Sequence, residues 1–173
     1  MSEELDWRKL RILCVDEDKG YGRLLDRVLR SLGVRDIMLA SNIEEARAQF
    51  DEKAFDFVLI SRSPDSELGT SLTEMLRNKA DTPAPNVPII WMVDDGKLEV
   101  ITKAISCGAD HVLVKPISLG DVESTLKNLS ANPTLKTDVQ NYIGPCRRRL
   151  PSRVYGPFSG QDRRQTEPQV ATA

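Results

Sequence analysis

Five short apolar runs recur along this chain, each followed by a stretch with helical periodicity, and that alternation leaves few folds open. The runs are Arg-Ile-Leu-Cys-Val at 11–15, then 34–40, Phe-Val-Leu-Ile at 57–60, Ile-Ile-Trp-Met-Val at 89–93, and 111–114. Runs of this length without polar alternation suit strands buried on both faces of a parallel sheet. After the first, Leu24, Leu25, Val28, Leu29 and Leu32 mark one helical face, and Gly33 fits its stop. Ser41 with Glu44, and Ser71 with Glu74, have capping-box spacing and predict helix starts, the first helix running to about Phe50 and the second carrying Leu72, Met75 and Leu76. Leu98, Ile101, Ala104 and Ile105 line a fourth helix that Gly108 ends. Ser118 and Asp121 open a fifth with Val122, Leu126 and Leu129 on its apolar side. The prolines at 83, 85 and 88 make a loop of 81–88.

Strand-helix alternation implies right-handed crossovers and a parallel sheet covered by helices on both faces. The expected class is α/β, doubly wound, flavodoxin-like, with five strands in the order 2-1-3-4-5 and five helices. It would fill 11–132, after a lead-in of 1–10 and before a C-terminal segment of 133–173. Aromatics are 5% of the 173 residues, so the core should be aliphatic. The three cysteines show no metal-ligand spacing, and Cys14 reads as a small buried hydrophobe. The acidic N-terminus lacks the apolar stretch of a signal peptide, and no run approaches the roughly 20 residues that span a bilayer. A cytoplasmic protein that does not engage membranes is expected.

In such a sheet the carboxyl ends of the strands face the ligand crevice. The third run stops at Ser61, and a polar loop with Pro64 and Gly69 follows. Asp56 stands five residues before Ser61 and Gly69 eight after it. Those marks resemble the third strand and loop of CheY-like receiver domains, the modules phosphorylated in two-component signalling. The acid pair Asp16 and Glu17, at the end of the first strand, matches the family's acid pair. Lys115 and Pro116 match its invariant lysine and the proline after it, whose peptide bond is typically cis there.

The resemblance implies a phosphoacceptor at position 61, an Mg²⁺ held by carboxylates, a lysine as a point charge and a hydroxyl that follows the phosphate. Here the acceptor position holds Ser61, which cannot form an acyl phosphate and removes a carboxylate from the metal site. Val93 stands where the family has Thr or Ser, and Asp94 stands where it has a small residue, so a charge there should repel phosphate. Val112 replaces the aromatic switch residue. Mg²⁺ is therefore expected to bind weakly, and no cofactor is certain. Ser61 would need a base to act as a nucleophile, and the one histidine, His111, is expected at the far edge of the sheet. Asp65, in the loop, is the alternative acceptor.

Residues 141–173 carry six arginines and two acids, a net +4 that leaves −6 for the rest of a chain whose formal charge is −2. Apolar periodicity ends after Asn132, and this basic segment is expected to be extended, without a core of its own. It contains a loose echo: Tyr142, Gly144, Arg147 and Arg148 recur as Phe158, Gly160, Arg163 and Arg164. Arg147, Arg148, Arg149, Arg163 and Arg164 are the candidates for gripping phosphate-bearing ligands. Some CheY-like proteins bind cyclic di-GMP through arginine-rich tails of similar composition, and a nucleic-acid backbone is an equally permitted ligand.

The expected function is a degenerate receiver, a pseudo-receiver: a non-enzymatic, two-component (phosphorelay) signalling module that no longer needs phosphate and acts by protein-protein interaction. Its partner would be a histidine kinase or an output protein. The face formed by helix four, strand five and helix five, with Lys97, Lys103, Asp110 and Glu123, would serve for partners or a homodimer. The alternatives are a phosphoacceptor receiver with a displaced acceptor, and nucleotide or nucleic-acid binding through the tail.

Overall fold

A computed structural model describes residues 5–62, 67–139 and 142–145. Its central sheet has the strands β1 (Arg11–Val15), β2 (Asp36–Ala40), β3 (Phe57–Arg62), β4 (Ile89–Val93) and β5 (His111–Val114). All four pairings are parallel, in the order β2-β1-β3-β4-β5. The helices are α1 (Lys19–Ser31), α2 (Ile43–Glu52), α3 (Leu68–Arg77), α4 (Leu98–Cys107) and α5 (Leu119–Ala131). This is the flavodoxin-like α/β arrangement that the alternation predicts.

Alternate strand residues feed two cores. Leu13, Val58, Ile60, Ile89, Trp91 and Val93 join α2, α3 and α4 on one face. Ile12, Cys14, Leu59, Ile90 and Met92 join α1 and α5 on the other, where the lead-in adds Leu10 and the half-buried Trp7. Each fully buried aliphatic or aromatic side chain contributes about 1.5–3 kcal/mol, so the two-faced sheet is the main source of stability. Cys14 is buried, and burial pushes its thiol far up from the ordinary range, which makes it inert.

The helix ends follow local chemistry, with small departures from the sequence expectation. Gly33 and Gly108 both have positive φ (+103° and +114°), as helix stops require. Ser118 and Asp121 form the full reciprocal capping box. For α2 the cap is Asn42, one residue later than expected; Ser41 instead donates from its N–H and hydroxyl to Glu45. For α3 the helix begins at Leu68 and not at Ser71, so that Gly69 passes against the Trp91 ring, 3.3 Å from where a Cβ would lie. Leu24 and Leu98, expected on apolar faces, are exposed at 53% and 55%.

The largest departure lies after α5. Residues read as tail form a two-stranded antiparallel sheet, β6 (Lys136–Val139) and β7 (Tyr142–Pro145). It seats against the end of α3 through a bridge between Asn78 and Tyr142. The sequence hid it because β6 has one apolar residue and its hold on the domain is polar. The arginines 147–149, 153, 163 and 164, with Asp65 and Cys146, lie outside the described residues.

Asp110 is also not on the partner face, since its side chain is 1% exposed. It meets Arg77, whose side chain is 0% exposed, at 2.6 Å. Arg77 also donates to the carbonyls of Gly108, Pro85 and Val87. Asp110 Oδ2 accepts from the Ile89 N–H at 2.8 Å. One ion pair thus ties the end of α3 to the entries of β4 and β5. Arg77→Ala would strand a buried carboxylate, and a loss of about 3–5 kcal/mol is expected. Urea unfolding at unchanged m-value reads it; a loss below about 1 kcal/mol would show that the α3–β5 tie is dispensable.

Candidate functional site

Four strands deliver the site residues to one edge of the sheet. Asp16 follows β1, Ser61 is the fifth residue of β3, Asp94 follows β4 and Lys115 follows β5. Ser61 is opposite Met92 in the ladder, and the Lys115 N–H donates to the Val93 carbonyl at 2.8 Å, which fixes the lysine beside β4. The Lys115–Pro116 peptide is cis, as expected.

The lysine ammonium is fully engaged by this chain. It donates to Ser61 Oγ at 2.8 Å, pairs with Asp94 Oδ1 at 3.1 Å, and sits 4.3 Å from the centroid of the Tyr21 ring. Its side chain is 17% exposed, so these contacts are only partly screened by water. Tyr21 comes from the first turn of α1. Burial raises its phenol pKa from the ordinary value, and the carboxylates of Asp16 and Asp94 raise it further, so the ring stays neutral.

The acid pair is divided. Asp16 is buried, with Oδ1 accepting from the Asp18 N–H at 2.8 Å and Oδ2 buried without a hydrogen-bond partner. Glu17 is exposed. No group of three His, Cys, Asp or Glu side chains comes together among the described residues. The third family position offers a hydroxyl that already accepts from Lys115. The donor set therefore does not fit the carboxylate cage a hard divalent ion needs.

Ser61 is 4% exposed and has an ammonium, not a base, on its oxygen. His111 begins β5 at the opposite end of that strand, where burial lowers its pKa from the ordinary value. Val93 and Val112 are core residues of the α3–α4 face, 1% and 9% exposed. At both positions the apolar side chain is packed into the core. The marks around Ser61 also have structural work: Asp56 accepts from the Arg11 N–H at 2.8 Å and sets the β1–β3 entry, while Gly69 admits the Trp91 ring.

Sequence reading missed two partners. It took Asp94 as a charge that repels phosphate, and not as the partner of Lys115. Tyr21 gave one usable signal, an aromatic on the first helical turn after the acid pair.

Residues 12–127 match the family model of the response regulator receiver domain. Over 125 residues the chain is 33% identical to the transcriptional regulatory protein ZraR of Salmonella typhimurium, covering 72% of this chain and 27% of that protein. It is 32% identical over 111 residues to the chemotaxis protein CheY1 of Helicobacter pylori, covering 63% of this chain and 87% of that one. The chain thus spans about a quarter of ZraR. Among solved structures, a two-component response regulator from Clostridium difficile superposes with a TM-score of 0.61 at 25% identity, covering 72% of this chain and 98% of that one. A putative response regulator from Chloroflexus aurantiacus does so with 0.63 at 23% identity, covering 71% and 98%. With the strand order, the cis proline and the sheet-edge lysine all in place, the chain belongs to the response regulator receiver domain family.

Proposed function

We propose that this receiver domain is a pseudo-receiver, which signals without accepting phosphate and acts by binding another protein. The observation that carries the reading is the state of Lys115. In a receiver that takes phosphate, this ammonium is the point charge awaiting the new anion. Here Asp94 supplies an anion from the chain itself, and Ser61 supplies a neutral acceptor where an acyl phosphate would have to form. A phosphoryl group would have to displace Asp94 and then find no carboxylate to bond.

The partner would be a histidine kinase or an output protein, met in the cytoplasm; among the described residues no helix is long and apolar enough to cross a membrane. The surface that suits a protein partner lies beside the site. Leu98, Val114 and Leu119, from α4, β5 and α5, are 55%, 43% and 44% exposed. Exposed Lys97 and Lys103 and the half-exposed Glu123 add a charged surround. Apolar groups inside a polar rim are the usual anatomy of a protein interface.

The decisive experiment is labelling. Acetyl phosphate or a phosphohistidine donor should leave the protein unmodified, and stoichiometric hydroxylamine-sensitive phosphate on any Asp would sink the reading. For the metal, titration should find Mg²⁺ binding weaker than about 1 mM, the low end for carboxylate sites. Ser61→Asp should tighten it at least several-fold, and more so when combined with Asp94→Ala; no gain in either would show Asp16 and Glu17 to be misplaced for a metal. If the α4–β5–α5 face also makes a homodimer, Leu98→Asp with Leu119→Asp should shift sedimentation to the monomer at an unchanged thermal midpoint. A wild-type chain that sediments as a monomer at all concentrations removes the homodimer.

A further inference from the structure

The β6–β7 hairpin lies wholly beyond residue 127, where the family match ends. Two-stranded hairpins are marginal by themselves in water, so its place on the domain depends on what it touches. The apolar share is small, and Leu135, just before β6, is 62% exposed. The polar share is large. Lys136 Nζ donates to the Asn86 carbonyl at 2.6 Å and the Val87 carbonyl at 3.3 Å, and lies 3.4 Å from both oxygens of Asp110. Lys79 pairs with Asp138. The Tyr142 phenol fills a slot kept open by two glycines: a Cβ on Gly144 would overlap it, and one on Gly108 would lie 2.8 Å from its oxygen.

The charges at this seat do not balance. Arg77 from α3 and Lys136 from β6 share the single carboxylate of Asp110, and all three side chains are at most 13% exposed. Arg77 holds the better geometry, at 2.6 Å against 3.4 Å. Lys136 is therefore the undercompensated member, held largely by neutral carbonyls. Around it His111 is the next residue to Asp110, and burial lowers its pKa, so it adds no charge in neutral or alkaline solution. Lys79 and Asp138 neutralise one another. Tyr142, from β7, faces Arg77.

We propose that the β6–β7 hairpin is a releasable strap, seated on the α3–β4–β5 entry end of the domain by Lys136, and that its seated population rises with pH. Seating buries a cation beside a stronger one, so loss of the proton favours the seated form. Burial, and then the repulsion of Arg77, outweigh Asp110 and push the Lys136 pKa from 10.5 down to about 8. The sign follows from linkage: the seated state binds fewer protons, so seating is weakest at low pH, strengthens as pH rises above about 8, and levels off near the free-lysine value. β7 ends at Pro145, so release frees the chain from Lys136 to Pro145 from the α3–β4–β5 entry end.

The test is amide hydrogen exchange on the full chain, as protection factors for Thr137, Asp138, Ile143 and Tyr142 relative to core amides of β1 and β3. Between pH 7 and pH 9, below the ordinary range of a tyrosine phenol, wild-type protection of the hairpin should rise about tenfold while the core stays flat. Lys136→Met has no proton to lose, so its protection should not change with pH, whatever its level. A flat wild-type profile overturns the proposal, as does an equal rise in Lys136→Met, or hairpin amides unprotected at every pH.

Discussion

The Arg77–Asp110 pair governs more of this molecule than its size suggests. A parallel sheet needs each strand brought to its starting point by a crossover, and here β4 and β5 begin from a proline-rich loop and a tight glycine turn. Neither connection has much apolar material of its own. Arg77 collects the carbonyls of both, and Asp110 takes the N–H that opens β4. Burying this pair is expensive, and replacing such a pair with well-packed hydrophobes is often neutral or stabilising. What the ions add is direction, because only one arrangement satisfies the guanidinium's planar fork. The hairpin then uses the same carboxylate, which is how an addition with little apolar surface finds a seat at all.

At the other end of the sheet the same economy appears with opposite consequence. Lys115 stands where a receiver keeps a cation ready, but its neighbours have closed around it. Ser61 is small and neutral, and so leaves the lysine free to approach. Asp94 reaches back from the β4–α4 loop to meet it. Val93 and Val112 are packed into the core at the two positions where the family pattern has a hydroxyl and an aromatic. The departures from the family pattern are compatible with one another: an apolar core, a paired ammonium and a hydroxyl that accepts from it fit together at this edge, where Asp16 Oδ2 stays buried without a hydrogen bond. A single change at position 61 would not by itself produce that.

The sequence made the sheet legible because its signals are periodic. Buried parallel strands appear as unbroken apolar runs, and Gly33, Gly108 and Ser118 punctuate the helices through backbone chemistry that acts locally. The site edge was legible for a related reason, since topology alone carries the ends of β1, β3, β4 and β5 to one place. What stayed hidden was pairwise. Nothing local shows that Arg77 is buried, that Asp94 meets Lys115, or that Tyr21 covers it, because each partner comes from a distant segment. Capping slipped by a few residues at α2 and α3, where Asn42 competes with Ser41 and where Trp91 rewards an earlier start at Gly69.

The hairpin shows why composition misleads after a domain's last helix. Few apolar residues argue against a new core, and that inference is sound: β6 and β7 make none. An element can still be ordered if it borrows satisfaction from a surface already built. Tyr142 does so by filling a gap between glycines, and Lys136 by reaching the Asn86 carbonyl and the Val87 carbonyl that Arg77 also uses. The aromatic-Gly spacing of Tyr142 and Gly144, read from sequence as half of an anion-binding echo, has a packing explanation here, since the glycine is what lets the phenol lie down. Such an element is ordered by a few polar contacts and not by area. Its stability then follows the charge state of its least compensated member, while the two apolar cores of the sheet carry the rest of the domain regardless.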